Sequence, residues 1–398
     1  MAAEKRIREV AIVNMGQSPE GETYNREGEG LPLLNGPTEF GPTYPRCTLF
    51  TTNSKKECLE GDLLFCVRGS TTGRMNWADQ RYSLGRGVCA IRGDTILLTK
   101  YIRYCLEANL PALLNLAGGG TFPNLRKDDI EGFSIPIHRN YERIAAILST
   151  YDDLIENNLR RIKILEEMAQ NLYREWFAKF RFPGHQKVKM VDSPLGKIPE
   201  GWEVSELSSL CTLIKEPYRE ELHTSLPLID LARIPQKTLL PSGVGSPKEL
   251  STSRIIFTSD DVLFGAIRPY LHKVVLAPTN GVTNVSVFVF RSRDEILKPF
   301  LAVLLSMEDT VRWADQYSTG TKMPVIKWDV FQQMKVLIPK REVIRRFYDV
   351  VWPMMQLVKN TFVRNSNLRR TRDLLLPKLI SGELDVSELE ITTPEANA

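Results

Sequence analysis

The chain has 398 residues, of which 42% are hydrophobic and 25% charged, and its formal net charge is +4. This length allows two or three domains with sizeable cores, and the composition is typical of a globular protein. No run of about eighteen apolar residues occurs, which argues against a membrane span, and Met1–Val10 lacks the apolar segment of a signal peptide. The mild positive charge permits an anionic partner without demonstrating one.

The first part of the chain predicts a domain of mixed strands and helices. Gly61–Ser70 is a short apolar run bounded by glycines, which is typical of a buried strand, and Val88–Arg92 predicts a second strand. Leu97–Ala108 has helical spacing. A glycine-rich loop at Gly118–Pro123 then precedes a strand at Phe133–Ile137.

A long helix follows over Tyr141–Phe177, a stretch without proline or glycine and rich in good helix formers. At 1.5 Å per residue it would be roughly 55 Å long. Its apolar positions alternate in steps of four and three, as in a coiled-coil seam that needs a partner helix. The seam consists of Ile144, Leu148, Tyr151, Ile155, Asn158, Ile162, Leu165, Ala169, Leu172 and Trp176.

The polar stretch His185–Trp202 is interpreted as a linker and the entry to a second domain. In that domain, Asp261–Ile267 and Val285–Arg291 predict strands, and Pro299–Asp309 predicts a short helix. Val336–Pro339 predicts the end of a further strand.

A second long helix is predicted over Arg341–Gly382, with a kink or restart at Pro353. The same alternation of four and three continues there, so this helix is the expected partner of the first. Its seam consists of Phe347, Val351, Met354, Val358, Thr361, Asn365, Leu368, Arg372, Leu375 and Leu379. The polar members of the two seams would cost stability but could fix the register.

The two halves of the chain form an internal repeat. A constant offset relates Pro136 to Pro339 and Leu165 to Leu368, and Asp62–Phe65 resembles Asp261–Phe264. The predicted fold class is therefore mixed α/β, with two similar globular domains separated by two long helices that form an antiparallel coiled coil with pseudo-two-fold symmetry. The predicted segments are 1–138, 139–182, 183–338, 339–382 and a flexible tail at 383–398. The alternative is that each helix packs only on its own domain.

No catalytic or metal-binding motif is recognisable. The six cysteines and four histidines form no CxxC or HxxxH pair, so reduced thiols and no metal site are expected. Gly69–Arg74 lacks the ending of a phosphate-binding Walker A loop, and no helix is expected after the GxGxxA-like Gly85–Ala90. These absences favour a binding or scaffolding role over catalysis.

Two loops that follow predicted strands are candidates for contact with DNA. Arginine can read guanine bidentately, hydroxyl groups contact phosphates or bases, and glycines let the backbone approach phosphates. Ordinary solvated turns would have a similar composition, and this alternative stays open. A third pair of segments, Gly118–Thr121 and Ser318–Lys322, is either a phosphate clamp or a hinge into the following helix. The candidate residues of these loops are Arg68, Ser70, Thr71, Thr72, Arg74, Arg268, Tyr270, Lys273, Thr321 and Lys322.

Several segments in this order resemble the specificity (S) subunit of type I DNA restriction–modification enzymes, over essentially the whole chain. They are NMGQSPEGETYN (Asn14–Asn25), EGEGLPLLNG (Glu27–Gly36), GDLLFCVRGSTTGR (Gly61–Arg74), LGKIPEGWEVSEL (Leu195–Leu207), DVLFGAIRPYLHK (Asp261–Lys273) and LLLPKLISGELDV (Leu374–Val386). The first domain lacks an equivalent of LGKIPEGW, as if the repeat unit were circularly shifted.

The resemblance implies two target-recognition domains that each read one half of an asymmetric, bipartite sequence in double-stranded DNA. It implies that the chain has no enzymatic activity and that its helices set the spacing of the half-sites. It further implies docking of two methyltransferase (M) subunits and of motor-nuclease (R) subunits in a prokaryotic cytoplasm. S-adenosylmethionine, ATP and Mg²⁺ would be bound by those partners. The alternatives are a coiled-coil adaptor that binds only protein and a self-contained methyltransferase or restriction enzyme.

Overall fold

The computed structural model describes residues 2–118, 123–221, 226–250 and 252–389. The chain divides into two compact units, the first formed by Met1–Glu156 with Leu368–Ala398 and the second by Asn157–Asn367. Each of the two long helices therefore contributes residues to both units. The glycine-rich loop predicted at Gly118–Pro123 lies mostly outside the described residues, as does the end of the predicted tail.

Unit 1 contains a four-stranded antiparallel sheet in the order β2-β10-β7-β8, a five-stranded sheet in the order β3-β5-β4-β9-β6 and a β1-β11 ribbon. Its elements are β1 (Ala3–Arg6), β2 (Ala11–Met15), β3 (Tyr24–Asn25), β4 (Leu31–Leu34), β5 (Phe50–Thr51), β6 (Glu57–Cys58), β7 (Leu63–Cys66), β8 (Met75–Trp77), β9 (Tyr82–Leu84), β10 (Val88–Gly93), α1 (Ile96–Ala108), α2 (Leu110–Leu114), α3 (Lys127–Glu131), β11 (Ser134–Ile137) and the first part of α4 (Tyr141–Tyr173).

Strand β7 is apolar at every position because both of its faces are covered. Leu63 and Phe65 pack in the cluster that contains α1, whereas Leu64 and Cys66 pack in a cluster with residues of the second sheet. Successive side chains of a strand point to opposite faces, so a strand buried on both sides has no polar alternation. The apolar run read from the sequence is the direct result.

Unit 2 repeats this plan. The antiparallel sheet β15-β20-β17-β18 and the ribbon β14-β21 correspond to β2-β10-β7-β8 and β1-β11 of unit 1. The elements are β12 (Met190–Ser193), β13 (Gly196–Pro199), β14 (Glu203–Glu206), β15 (Cys211–Ile214), β16 (Arg254–Phe257), β17 (Val262–Gly265), β18 (Val274–Leu276), β19 (Gly281–Asn284), β20 (Val287–Ser292), α5 (Lys298–Ser306), α6 (Glu308–Gln316), α7 (Trp328–Phe331), β21 (Lys335–Ile338) and α8 (Arg341–Ser381), with the second part of α4.

One ion pair between a buried aspartate and a partly exposed arginine appears in both units at the same place. Asp62, just before β7, receives two hydrogen bonds from Arg92 of β10, and Asp261, just before β17, receives two from Arg291 of β20. Bidentate pairs of this kind add geometric specificity to the position they hold. The predicted mixed fold, with two similar domains and two long helices, is confirmed.

Three local predictions need correction. The single helix predicted over Pro299–Asp309 is two helices, α5 and α6, because Met307 between them is extended. The predicted linker His185–Trp202 is largely folded, since it contains the β12-β13 hairpin. Pro353 does not restart the last helix, which runs without interruption as α8. Its side chain is exposed, so the carbonyl that loses its amide partner can be solvated.

The two long helices pack antiparallel to each other in unit 1. Ile144 and Leu148 of α4 share a buried cluster with Leu376 and Leu379 of α8. Asp152 of α4 accepts hydrogen bonds from Arg372 of α8, from Arg103 and, at 2.7 Å, from the Tyr104 hydroxyl. Burial raises the pKa of Asp152, but the two arginines and the tyrosine outweigh it, so the pKa lies below its usual value. This cluster ties α1 to both long helices.

The helices also pack antiparallel in unit 2. Ile162 of α4 is buried with Val358 and Phe362 of α8. The Asn158 amide donates a 2.8 Å hydrogen bond to the Asn365 side chain between them, and both residues are buried. Thus each helix packs on the other as well as on its own domain.

No predicted packing position of the two helices is exposed. Buried or half-buried are Ile144, Leu148, Tyr151, Ile155, Ile162, Leu165, Leu172, Trp176, Phe347, Val351, Val358, Leu368, Leu375 and Leu379.

Beyond α8, the described part of the tail contacts unit 1. Val386 is buried, and Arg143 donates hydrogen bonds to the carbonyl oxygens of Val386 and Ser387. Residues 390–398 lie outside the described part of the chain. Throughout the described ranges, no helix is both long enough and apolar enough to cross a membrane.

Candidate nucleic-acid interface

Three chain segments of unit 1 meet where β7 ends. The Val67 amide donates to the Gly87 carbonyl at 3.0 Å, and the Leu125 amide donates to the Val67 carbonyl at 3.0 Å. One residue further on, the Gly69 amide donates to the Pro123 carbonyl at 3.2 Å. We call this meeting point of loops the strand-end edge of unit 1.

Arg68, Ser70 and Thr71 are exposed at this edge. Among the described residues, Thr71 is the one of these three whose side chain has a hydrogen-bond partner, the Cys66 thiol at 3.8 Å. Thr72 is half-buried, and its hydroxyl donates to the Gly69 carbonyl at 2.8 Å. Arg68 therefore presents a cation that is free to bind a phosphate or a base edge within the described part of the chain.

Arg74 has a different environment. Its guanidinium donates to the carbonyl oxygens of Pro37 and Phe40 at 3.1 and 2.9 Å. Two backbone acceptors hold this cation against its own domain, so its geometry fits a residue that fixes the 37–40 loop rather than one that reads bases.

Unit 2 has an equivalent strand-end edge after β17. The Ala266 amide donates to Ser286 and the Ile326 amide donates to Ala266, at 2.9 and 3.0 Å. The Arg268 amide donates to the Pro324 carbonyl at 2.7 Å, which is the bond that Gly69 makes to Pro123 in unit 1. The structural counterpart of Arg268 is therefore Gly69, not Arg68.

The backbone conformation supports the equivalence of Gly69 and Arg268. Gly69 has φ of +90° and Arg268 has φ of +49°, so both adopt the left-handed region at the same turn. An arginine there is strained, because the region costs energy for residues with a side chain. The Arg268 Nε is buried without a hydrogen-bond acceptor in the described part of the chain.

The other predicted residues of unit 2 divide into two groups. Tyr270, Thr321 and Lys322 are exposed at the edge. Lys273, by contrast, donates its ammonium to the Leu231 carbonyl and is half-buried. Lys273 thus resembles Arg74 in being bound to its own domain.

Sequence reasoning missed several exposed residues of the two edges, because single side chains in tight turns carry no periodic signal. In unit 1 these are Arg86 and Leu116, and in unit 2 they are Val285, Tyr317 and Met323. For Arg86, the short glycine-flanked turn Gly85–Gly87 between two strands was a signal that could have predicted an exposed side chain. Of the segment Gly118–Thr121, expected to be a phosphate clamp or a hinge, Gly118 is exposed and residues 119–121 lie outside the described residues.

The described residues contain no group of three or more histidine, cysteine or acidic side chains placed to hold a metal ion. The six cysteines are free thiols, and all except Cys47 are buried. Burial raises the pKa of Cys58 and Cys211 to about 12, so these thiols are protonated at neutral pH.

Comparison with known proteins finds similarity to one kind of protein. Residues 2–167 match the family described as the type I restriction modification DNA specificity domain. The chain is 24% identical over 413 residues to the type I restriction enzyme MjaIX specificity subunit of Methanocaldococcus jannaschii, with coverage of 97% of this chain and 94% of the relative. It is also 24% identical over 364 residues to the EcoDI specificity subunit of Escherichia coli, covering 82% and 77% of the two chains.

The fold is shared with a solved structure, the type I restriction-modification S subunit from M. genitalium. The TM-score is 0.62 at 17% identity, and the match covers 96% of both chains. The chain is thus similar over nearly its whole length to specificity subunits of type I restriction enzymes, and its first part matches the DNA specificity domain of these proteins.

Proposed function

We propose that each unit binds one half of an asymmetric, bipartite target in double-stranded DNA through its strand-end edge. The observation that carries this proposal is the repetition of one edge in two units with different side chains. Both edges are built from the same backbone hydrogen bonds, yet unit 1 presents Arg68 where unit 2 presents Arg268 at the neighbouring position. Repeated scaffolds with different contacts suit two half-sites of different sequence.

In this proposal the helices α4 and α8 set the distance between half-sites and offer surface for partner subunits. The partners are two methyltransferase subunits and motor-nuclease subunits, which would bind S-adenosylmethionine, ATP and Mg²⁺. The complex would act in a prokaryotic cytoplasm. Exposed cations on α4, such as Arg161 and Lys163, belong to the surface that could take part in docking.

The function is tested by co-expressing the chain with its neighbouring methyltransferase and mapping the methylated adenines by sequencing. We expect methylation at one bipartite sequence, with an unread spacer between two different half-sites. In a binding assay, the affinity of the complex for DNA should fall steeply as salt rises, because binding releases counterions from the phosphates. A chain that retains no DNA at low salt would instead be an adaptor for protein partners.

A comparison of two arginines tests the assignment of the edge. Arg68→Ala should weaken specific binding by about tenfold or more, since a bidentate contact to guanine contributes about 1–3 kcal/mol of discrimination. Arg74→Ala should instead lower the stability of unit 1, because it releases the carbonyl oxygens of Pro37 and Phe40. Titration with target and scrambled duplexes and urea unfolding measure the two effects. Unchanged discrimination in Arg68→Ala would contradict the assignment.

A further inference from the structure

The strand-end edge of unit 2 exposes an unusual amount of apolar side chain. Tyr270 is 53% exposed, Val285 56%, Tyr317 48% and Met323 53%. We call these four residues the apolar edge. Single exposed apolar residues are common, but several at one place mark a surface that is covered by a ligand.

Backbone hydrogen bonds bring the four residues to the same end of the sheet. Met323 precedes Pro324, whose carbonyl accepts from Arg268, and Tyr270 lies on the turn that Arg268 begins. Tyr317 directly follows α6 and leads into the same 319–325 turn, which the Thr319 and Val325 amides close by reciprocal bonds of 3.0 and 2.9 Å.

Val285 joins the edge from another hairpin. The Ser286 carbonyl that follows it accepts from Ala266, directly after β17. The apolar edge therefore collects residues from three separate turns around Arg268.

Unit 1 differs at the same positions. The Val67 amide donates to the Gly87 carbonyl, and the Ala266 amide makes the equivalent bond to the Ser286 carbonyl. The residue before each acceptor is therefore equivalent, and the exposed Arg86 corresponds to Val285. Leu116, which is 51% exposed, corresponds to Tyr317. Leu116 lies two residues before the bridge Gly118–Asn124, as Tyr317 lies two residues before the bridge Thr319–Val325. The edge of unit 1 thus adds a second arginine where unit 2 has an aliphatic side chain.

The chemistry of base edges explains what such a surface can recognise. In the major groove, every base edge offers hydrogen-bond donors or acceptors, but only thymine carries an apolar group, its 5-methyl. An aliphatic or thioether side chain gains by covering that methyl and cannot satisfy a polar edge.

We propose that the apolar edge of unit 2 contacts the 5-methyl groups of thymines in its half-site, with Met323 and Val285 as specificity-determining residues. This inference rests on the proposed function, because it assumes that the edge faces the major groove of the target. At the position of Val285, unit 1 has Arg86 instead. The two half-sites then differ in the kind of contact as well as in sequence.

The test uses the complex of the chain with its methyltransferase subunits and duplexes of the mapped target in which single thymines are replaced by deoxyuridine. This exchange removes only the methyl group. The half-site of unit 2 is the one that does not change when residues 1–138 are exchanged. For the wild type we expect deoxyuridine at one or more positions of that half-site to lower the affinity about fourfold, the effect of burying a group of this size.

In Met323→Ala and Val285→Ala, the loss caused by deoxyuridine should shrink or vanish at the position that each residue covers. Deoxyuridine in the other half-site should act equally on wild type and variants, which also shows that the variants are folded and bind. Leu195→Ala is the matched control, since Leu195 is similarly exposed on the β12-β13 turn outside the edge.

Several results would overturn the inference. The first is a half-site of unit 2 that contains only G·C pairs. The second is an affinity of the wild type that does not change when deoxyuridine replaces thymine in that half-site. The third is an equal loss of affinity on this replacement in the wild type and both variants. A variant that loses affinity equally for thymine and deoxyuridine duplexes would indicate insertion between base pairs instead, and would contradict the proposal. Failure of the wild type to prefer its target at all would reject the proposed function itself.

Discussion

Exchanging residues 1–138 for the corresponding segment of a type I specificity subunit is expected to change one half of the DNA target and leave the other half intact. The strand-end edge of unit 1 lies within this segment, whereas the whole edge of unit 2 lies outside it. Because a wrong base pair typically costs about 1–3 kcal/mol, replacing several contacts at once should abolish recognition of the old half-site. Sequencing of methylated adenines before and after the exchange measures the outcome.

The structure indicates how the exchange must be designed. Asp152 of α4 accepts hydrogen bonds from Arg103 and Tyr104, which are in the exchanged segment, and from Arg372, which is not. A donor segment without partners for Asp152 would leave a largely buried carboxylate with fewer hydrogen bonds and destabilise unit 1. The matched control is a donor that keeps an arginine–tyrosine pair at these positions.

A change in both half-sites after this exchange would contradict the modular proposal. Loss of all methylation would be ambiguous for a poorly matched donor. With the matched donor, it would mean that recognition by unit 2 depends on the residues of unit 1.

Glu166→Gln is expected to stabilise the chain at pH 8 and to have a much smaller effect at pH 5. Glu166 is buried on α4, and its carboxylate accepts a 2.9 Å hydrogen bond from the Leu239 amide in unit 2. Burial raises the pKa of Glu166 to about 7, although the Leu239 amide acts in the opposite direction. Neighbouring Glu167 raises this pKa slightly further.

The sign of the pH effect follows from the raised pKa. The folded state holds the proton more tightly than the unfolded state, so this contribution to stability is complete below the ordinary pKa of about 4.5 and is lost as pH rises through 7. At 1.36 kcal/mol per pKa unit, the loss amounts to roughly 3 kcal/mol. Glutamine keeps an oxygen for the Leu239 amide and cannot ionise, so the variant escapes the loss.

Urea unfolding at several pH values between 5 and 9 measures this difference. The control is Glu167→Gln, because Glu167 is exposed and is 3.8 Å from the Lys163 ammonium. Lys359 lines the same small pocket as Glu166, but it is bonded to Ser259 and Asp260. An equal stability difference between wild type and Glu166→Gln at pH 5 and pH 8 would contradict the expectation.

Much of the fold could be predicted because its signals are local and periodic. The seams of α4 and α8 repeat in steps of four and three, and the buried runs of β7 and β17 stand between turn residues. The boundary between α5 and α6 could not be predicted in this way, since one extended residue, Met307, separates them without a glycine or a proline at the break.

The candidate interface was predictable only in part. The sequence placed Arg68 and Arg268 after two buried strands, but the one-residue shift between them depends on which amide bonds to Pro123 or Pro324. Likewise, Arg74 and Lys273 look like free cations in the sequence. Their binding to the carbonyl oxygens of Pro37, Phe40 and Leu231 depends on loops far away in the chain.

The sequence by itself therefore determined the duplication, the two long helices and the resemblance to type I specificity subunits, because these features depend on residue order and spacing along one segment. The tertiary structure decided which cations are free at each edge, that Asn158 meets Asn365, and that unit 2 exposes Val285 and Met323 where three turns converge. Such contacts join residues distant in sequence, and no local pattern encodes which side chains remain available to a ligand.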